Sequence, residues 1–288
     1  MTKSIRLNDI IQQSTELISL PDIVINLNNI INDPRSSMTD FAKQIELDPA
    51  LTVRLLKIVN SPYYNFPSKV ETITTAVSII GTQDLRDLVL TTSLVSSFKG
   101  LGNPLCSLEN FWRHSVYTGV IARKLADCRR EPNAERFFTA GLLHDIGSMI
   151  FYQTLPDQSQ AILKRAIDNE EEVHVLEEDA FGFNSADVAA ALLKSWHLPA
   201  MLEETVRFHN IPEQAEMFPI ESTIVYIANR MANNIDMVSN RLHREYEIDD
   251  KYWETINLSS EILDSAKPDI IEKFEQITSL IINDVIAA

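Results

Sequence analysis

The chain is 288 residues long, 45% hydrophobic and 23% charged, a balance that can fill one large helical core or two smaller ones and argues against disorder. Acidic residues outnumber basic ones 41 to 25, and the resulting net charge of −16 repels polyanions, which excludes nucleic acid as a natural partner. Seven glycines and two cysteines without CxxC spacing argue against a glycine-rich nucleotide loop, a disulfide framework or a cysteine metal knuckle, and point to a reducing compartment.

The N-terminus carries no apolar signal core, and no apolar run is long enough to span a bilayer, so the expectation is a cytoplasmic protein without membrane contact. The first clear helix opens at Asp48-Pro49, an N-cap residue followed by a helix-compatible proline, and carries leucines and valines at spacings of three and four. Asn60-Ser61-Pro62 stops it, since proline cannot continue a helix and restricts the residue before it. The run Val70 to Ile80 ends at Gly81, and Thr82 is placed to cap the next helix, QDLRDLVLTTSLVSSF. Pro104, near Gly100 and Gly102, marks the best junction between an N-terminal and a central lobe.

In the central part, Ser107 can cap LENFWRHSVYTGVIARKLADC, and Glu131-Pro132-Asn133 can open ERFFTAGLLHDI, expected to end at Gly147. The basic residues Arg123, Lys124, Arg129, Arg130 and Arg136 are interrupted by acids and read as a solvated helix face. After an acidic stretch, Asp168 to Glu172, either Asn184 or Ser185 caps ADVAAALLKSWH. Pro199 then starts MLEETVRFH, and STIVYIANRMANN follows Pro219. Two or three more helices are expected around Trp253, Ile262 and Ile270 to Ile286. Apolar–polar alternation of strand length is absent, so the fold class is all-α.

The residues that could carry chemistry sit on these helices. His144-Asp145 offers an imidazole and a carboxylate, a sensible pair for Zn, Mn, Fe or Ni, but neighbours on a helix point about 100° apart and converge only near a helix end. Taken alone, the pair fits better as a buried histidine hydrogen-bonded near a helix terminus. His114 lies on the stripe Phe111, His114, Thr118, Ile121, Leu125 and must face the core. His209, in line with Leu202 and Val206, can also face inward, whereas His174, His197 and His243 lack patterned companions and read as surface or C-terminal-turn residues. Asn229 sits mid-helix, where asparagine is a poor helix former, so something local requires its amide, either a helix-to-helix hydrogen bond or a vestigial ligand position.

At these residues the chain resembles the HD superfamily, and within it the HD-related output domain branch, HDOD, over about residues 20–234. The carriers are DPALTVRLLKIVNSPYYN, AVSIIGTQDLRDLVL, FWRHS, AGLLHDIG, FGFNSADVAAALLKSWHLP and RFHN. The resemblance implies an N-terminal helical lobe over 1–103 packed on an HD-like lobe over 104–235, followed by a C-terminal helical extension over 236–288. It also implies a metal position formed by His114, His144 and Asp145, with His209 as a further ligand. Asn229 stands where catalytic relatives carry the distant aspartate, and Asn184 and Asn210 stand where two-metal relatives carry histidines.

An amide in place of a carboxylate removes a unit charge from the site, and the loss of two imidazoles leaves too few ligands for a second ion. One divalent ion, Mn, Fe, Ni or Zn, is the most such a site could hold, and no other cofactor is implied. The leading expectation is a non-catalytic signalling or scaffold module working through a protein partner, as the family resemblance implies. The alternatives are a metal-dependent phosphohydrolase acting on a nucleotide or cyclic dinucleotide, and a ligand pocket without turnover. The last would want a cation for a phosphate, for which Arg113 and Arg207 are the candidates.

Overall fold

A computed structural model describes residues 5–18, 20–98, 106–237, 239, 240, 242 and 244–281. Its elements are helices, with no strand among the described residues. The chain divides into two compact units, one formed by residues 1–19 and 100–265, the other by 20–99 and 266–288. The junction expected at Pro104 and its glycines, His243, and the tail past Ile281 lie outside the described residues.

The second unit begins with α2 (Asp22–Asn32) and α3 (Met38–Glu46), preceded in the chain by α1 (Leu7–Leu17), and continues with α4 (Pro49–Val59), α5 (Ile73–Ile80) and α6 (Thr82–Ser97). Asp48 caps α4 by accepting from the amides of Ala50 and Leu51, as its Asp-Pro start predicts. Gly81 ends α5 at φ 94°, a left-handed backbone that glycine adopts without strain. Thr82 is not the cap of α6: Gly81 holds that position, and Thr82 is already helical. Leu27, Phe41, Ile45, Leu55, Ile58 and Ile73 fill the core between these helices.

The first unit holds α1 with α7 (Leu108–Arg129), α8 (Glu135–Leu143), α9 (Ile146–Thr154), α10 (Pro156–Asn169), α11 (Val173–Phe181), α12 (Ser185–Ser195), α13 (Ala200–Phe208), α14 (Pro219–Ile235) and α15 (Asp250–Thr255). A last helix, α16, runs Glu261–Ile281 through Pro268 as one element that covers both Ile262 and Ile270, and with α15 it makes two helices in the tail. Ser107 caps α7 by accepting from the Asn110 amide. Asn184, rather than Ser185, caps α12 and forms a reciprocal capping box with Asp187.

Two close helix approaches set the frame of this unit. A Cβ on Gly141 of α8 would lie 2.8 Å from the backbone of Gly119 on α7, so only glycine lets these helices touch. Gly147 does not end a helix, contrary to the sequence expectation. It lies inside α9, where a Cβ would stand 1.8 Å from the Ser185 carbonyl oxygen at the start of α12. Its role is therefore close packing. The helix breaks two residues earlier, at His144-Asp145, and Asp145 takes φ −109° and ψ 12° there.

The basic run is not a simple solvated face. Arg123 pairs with the buried Glu135 at 3.2 Å, Arg129 with Glu131 at 3.0 Å, and Arg136 with Glu221 at 3.1 Å, so α7 and α8 are tied to their surroundings by neutralised pairs. No described helix is long and apolar enough to cross a membrane.

Candidate functional site

The break between α8 and α9 gives His144 and Asp145 their common direction. On a continuous helix they would diverge; across the bend both line one cavity. Ser148, one turn into α9, donates from its hydroxyl to Asp145 Oδ1 and fixes the carboxylate. His144 is held from behind, its Nδ1 donating to the Gly141 carbonyl at 2.7 Å. A carbonyl oxygen only accepts, so Nδ1 carries the proton, and in the neutral ring Nε2 presents a lone pair.

His209, the C-cap of α13, repeats this arrangement, its Nδ1 donating to the Val206 carbonyl at 2.7 Å. Burial first, and the neighbouring His144 second, push its pKa down to about 3, against the opposing pull of the Val206 carbonyl and Asp145. It is therefore neutral at physiological pH. The ring of His144 lies between the other two imidazoles, with centroids 5.3 Å from His114 and 4.9 Å from His209.

His114, inward-facing on α7, meets α14. Its Nε2 lies 3.0 Å from Asn229 Oδ1, the helix-to-helix hydrogen bond that a mid-helix asparagine calls for. The same oxygen accepts from Asn233 Nδ2 at 3.2 Å, so Oδ1 is the acceptor and His114 Nε2 the donor. Without this bond, a buried imidazole N–H would cost about 1–3 kcal/mol. In this state, Nε2 of His114 is occupied by its proton.

His114, His144, Asp145, His209 and Asn229, the candidate residues read from the sequence, thus line one cavity of about 90 Å3 within the first unit. Asn210 lines it too. Asn184 does not take part, because its side chain is spent on the cap of α12. Two further residues of the cavity were missed. His174, near the start of α11, lines it rather than lying on the surface; burial keeps its pKa below the ordinary value, aided by Arg230 and opposed by Glu172. His197 is exposed at the end of α12, as expected. The second missed residue is Arg230. Arg113 and Arg207, the cations anticipated for this cavity, are engaged elsewhere, with Asp236 at 2.6 Å and Asp187 at 3.1 Å. The signal for Arg230 was its place beside Asn229 on α14.

The donor set fits a tightly held divalent ion poorly. Of the candidate residues read from the sequence, Asp145 is the one carboxylate, and the Asn229 amide takes up His114. Among the described residues, no group of three His, Cys, Asp or Glu side chains is arranged to hold a metal. Besides these residues, His174 and Glu172 line the same cavity.

The fold is similar to that of several solved proteins. An HDOD domain protein of unknown function from Geobacter sulfurreducens shares 24% identity at a TM-score of 0.72, over 96% of this chain and 98% of its own. A Shewanella amazonensis protein, whose name proposes a phosphohydrolase, shares 23% identity at a TM-score of 0.70, over 93% of this chain and 97% of its own. A Marinobacter aquaeolei protein, whose name proposes a role in signal transduction, shares 18% identity at 0.70, over 96% of this chain and 61% of its own. In sequence, an uncharacterized Treponema pallidum protein is 27% identical over 218 residues, and this chain spans 41% of its length. Residues 17–212, well over half of the chain, match the HDOD domain family, and the chain belongs to that family.

Proposed function

We propose that this chain is a non-catalytic signalling or scaffold module of the HDOD type, working in the cytoplasm through contacts with a protein partner, and that its HD cavity is a vestigial metal site. The observation that carries this reading is the hydrogen bond between His114 Nε2 and Asn229 Oδ1. Phosphoester hydrolysis in such a site needs a metal-bound hydroxide and concentrated positive charge on the phosphate oxygens. Here an uncharged amide takes up the place and the partner of an acidic ligand. The net charge of −16 favours a partner with a basic or apolar face. The tail beyond Asn234 is the natural place for partner specificity.

The competing reading, a metal-dependent phosphohydrolase acting on a nucleotide or cyclic dinucleotide, draws on the backbone carbonyls that orient His144 and His209. Metal-ligating histidines are held in this way. Metal analysis of the purified protein separates the two readings. Substoichiometric metal, unchanged by His144→Ala, is the expected result. One Mn, Fe, Ni or Zn per chain, lost in His144→Ala while the protein stays folded, would favour the enzyme.

A further inference from the structure

Arg230 is the residue of the cavity that neither the metal site nor the packing of α14 explains. Its guanidinium lies over the rings of Tyr226, at 4.6 Å, and Tyr246, at 5.2 Å, which hold the planar fork in place. Its Nε–H is buried and has no hydrogen-bond partner among the described residues. A buried donor left unsatisfied is costly, and a guanidinium more so than a neutral group.

The nearest carboxylate does not meet this need. Glu172 lies 3.5 Å from Arg230 Nη2, at the limit of a hydrogen bond, but only 3.0 Å from Arg244 Nη2. Arg244 is further fixed by donating from Nη1 to the Glu170 carbonyl at 2.7 Å. Two guanidiniums therefore share one carboxylate, and Asp145 is the other acidic side chain lining the cavity. Asn210 and Asn233, which also line the cavity, add amides that can donate.

We infer that the cavity is a binding site for an oxyanion, a phosphate or carboxylate group carried by a small ligand, with Arg230 as its anchor. An oxygen pair accepts from the Nε and Nη of one guanidinium in a fork, the geometry in which arginine differs from lysine. The space of about 90 Å3 suits the anionic end of a ligand. A neighbouring groove, which shares Tyr226 and Arg230 with the cavity and is lined by Tyr252, can take the remainder. The site requires no metal and holds whether or not the histidines bind one.

The test uses the full chain, stripped of metal and kept in EDTA, titrated calorimetrically with inorganic phosphate and separately with acetate. Saturable binding of either anion is expected, weakened about ten-fold or more in Arg230→Gln and retained in part in Arg230→Lys, which keeps the charge but not the fork. Binding of phosphate alone assigns a phosphoryl ligand, and of acetate alone a carboxylate ligand. Should Arg230→Gln fail to fold, the Nε–Hε resonance of Arg230 in the wild-type protein, assigned by its loss in Arg230→Lys, must shift on titration. No saturable binding of either anion, or equal binding in the folded Arg230 variants, overturns the inference.

Discussion

Asn229 differs from an aspartate only in carrying an amino group where the carboxylate has a second oxygen, and the proposed function turns on that difference. The amide oxygen accepts from His114 and from Asn233, so it satisfies two donors without charge. A carboxylate at the same place would add a unit negative charge beside His144 and Asp145, and would pull a divalent ion toward them. Asn229→Asp is therefore expected to tighten Mn or Zn binding by at least ten-fold, equivalent to about 1.4 kcal/mol, in a calorimetric titration. Unchanged affinity in the folded variant would mean that the amide is not what limits the site. Arg230, the next residue, shows the opposite case: a cation whose Nε–H has no partner among the described residues, rather than a missing anion.

At the level of elements, much of the fold was legible because it is written in local chemistry. Asp48, Ser107 and Asn184 announce helix starts by cap residues that the structure uses as such. The inward faces of His114 and His209 followed from helical spacing alone. What could not be read depends on contacts between distant segments. Gly147 looked like a stop because glycine after an apolar helix commonly is one. Its actual role, the approach of α9 to Ser185, exists only once α12 is in place. His174 had no patterned neighbours on its own helix, and becomes part of the cavity through the packing of α11. Gly147→Ala is accordingly expected to cost about 3 kcal/mol or more, at the upper end of overpacking, in denaturant unfolding. A variant as stable as the wild type would contradict this account of the α9–α12 approach.

For the whole molecule, the cavity belongs to the first of the two compact units, where backbone carbonyls orient His144 and His209. Family membership and structural likeness agree on the fold. The chemistry of the cavity is decided by what this particular sequence places there. The strongly acidic balance favours a basic or apolar protein face as the partner. The most direct test of the central claim is the rate of bis(p-nitrophenyl) phosphate hydrolysis in saturating Mn2+, wild type against His144→Ala. The account expects the two rates to be indistinguishable, both at the level of buffer with metal alone. Wild-type turnover that disappears in a folded His144→Ala protein would contradict it.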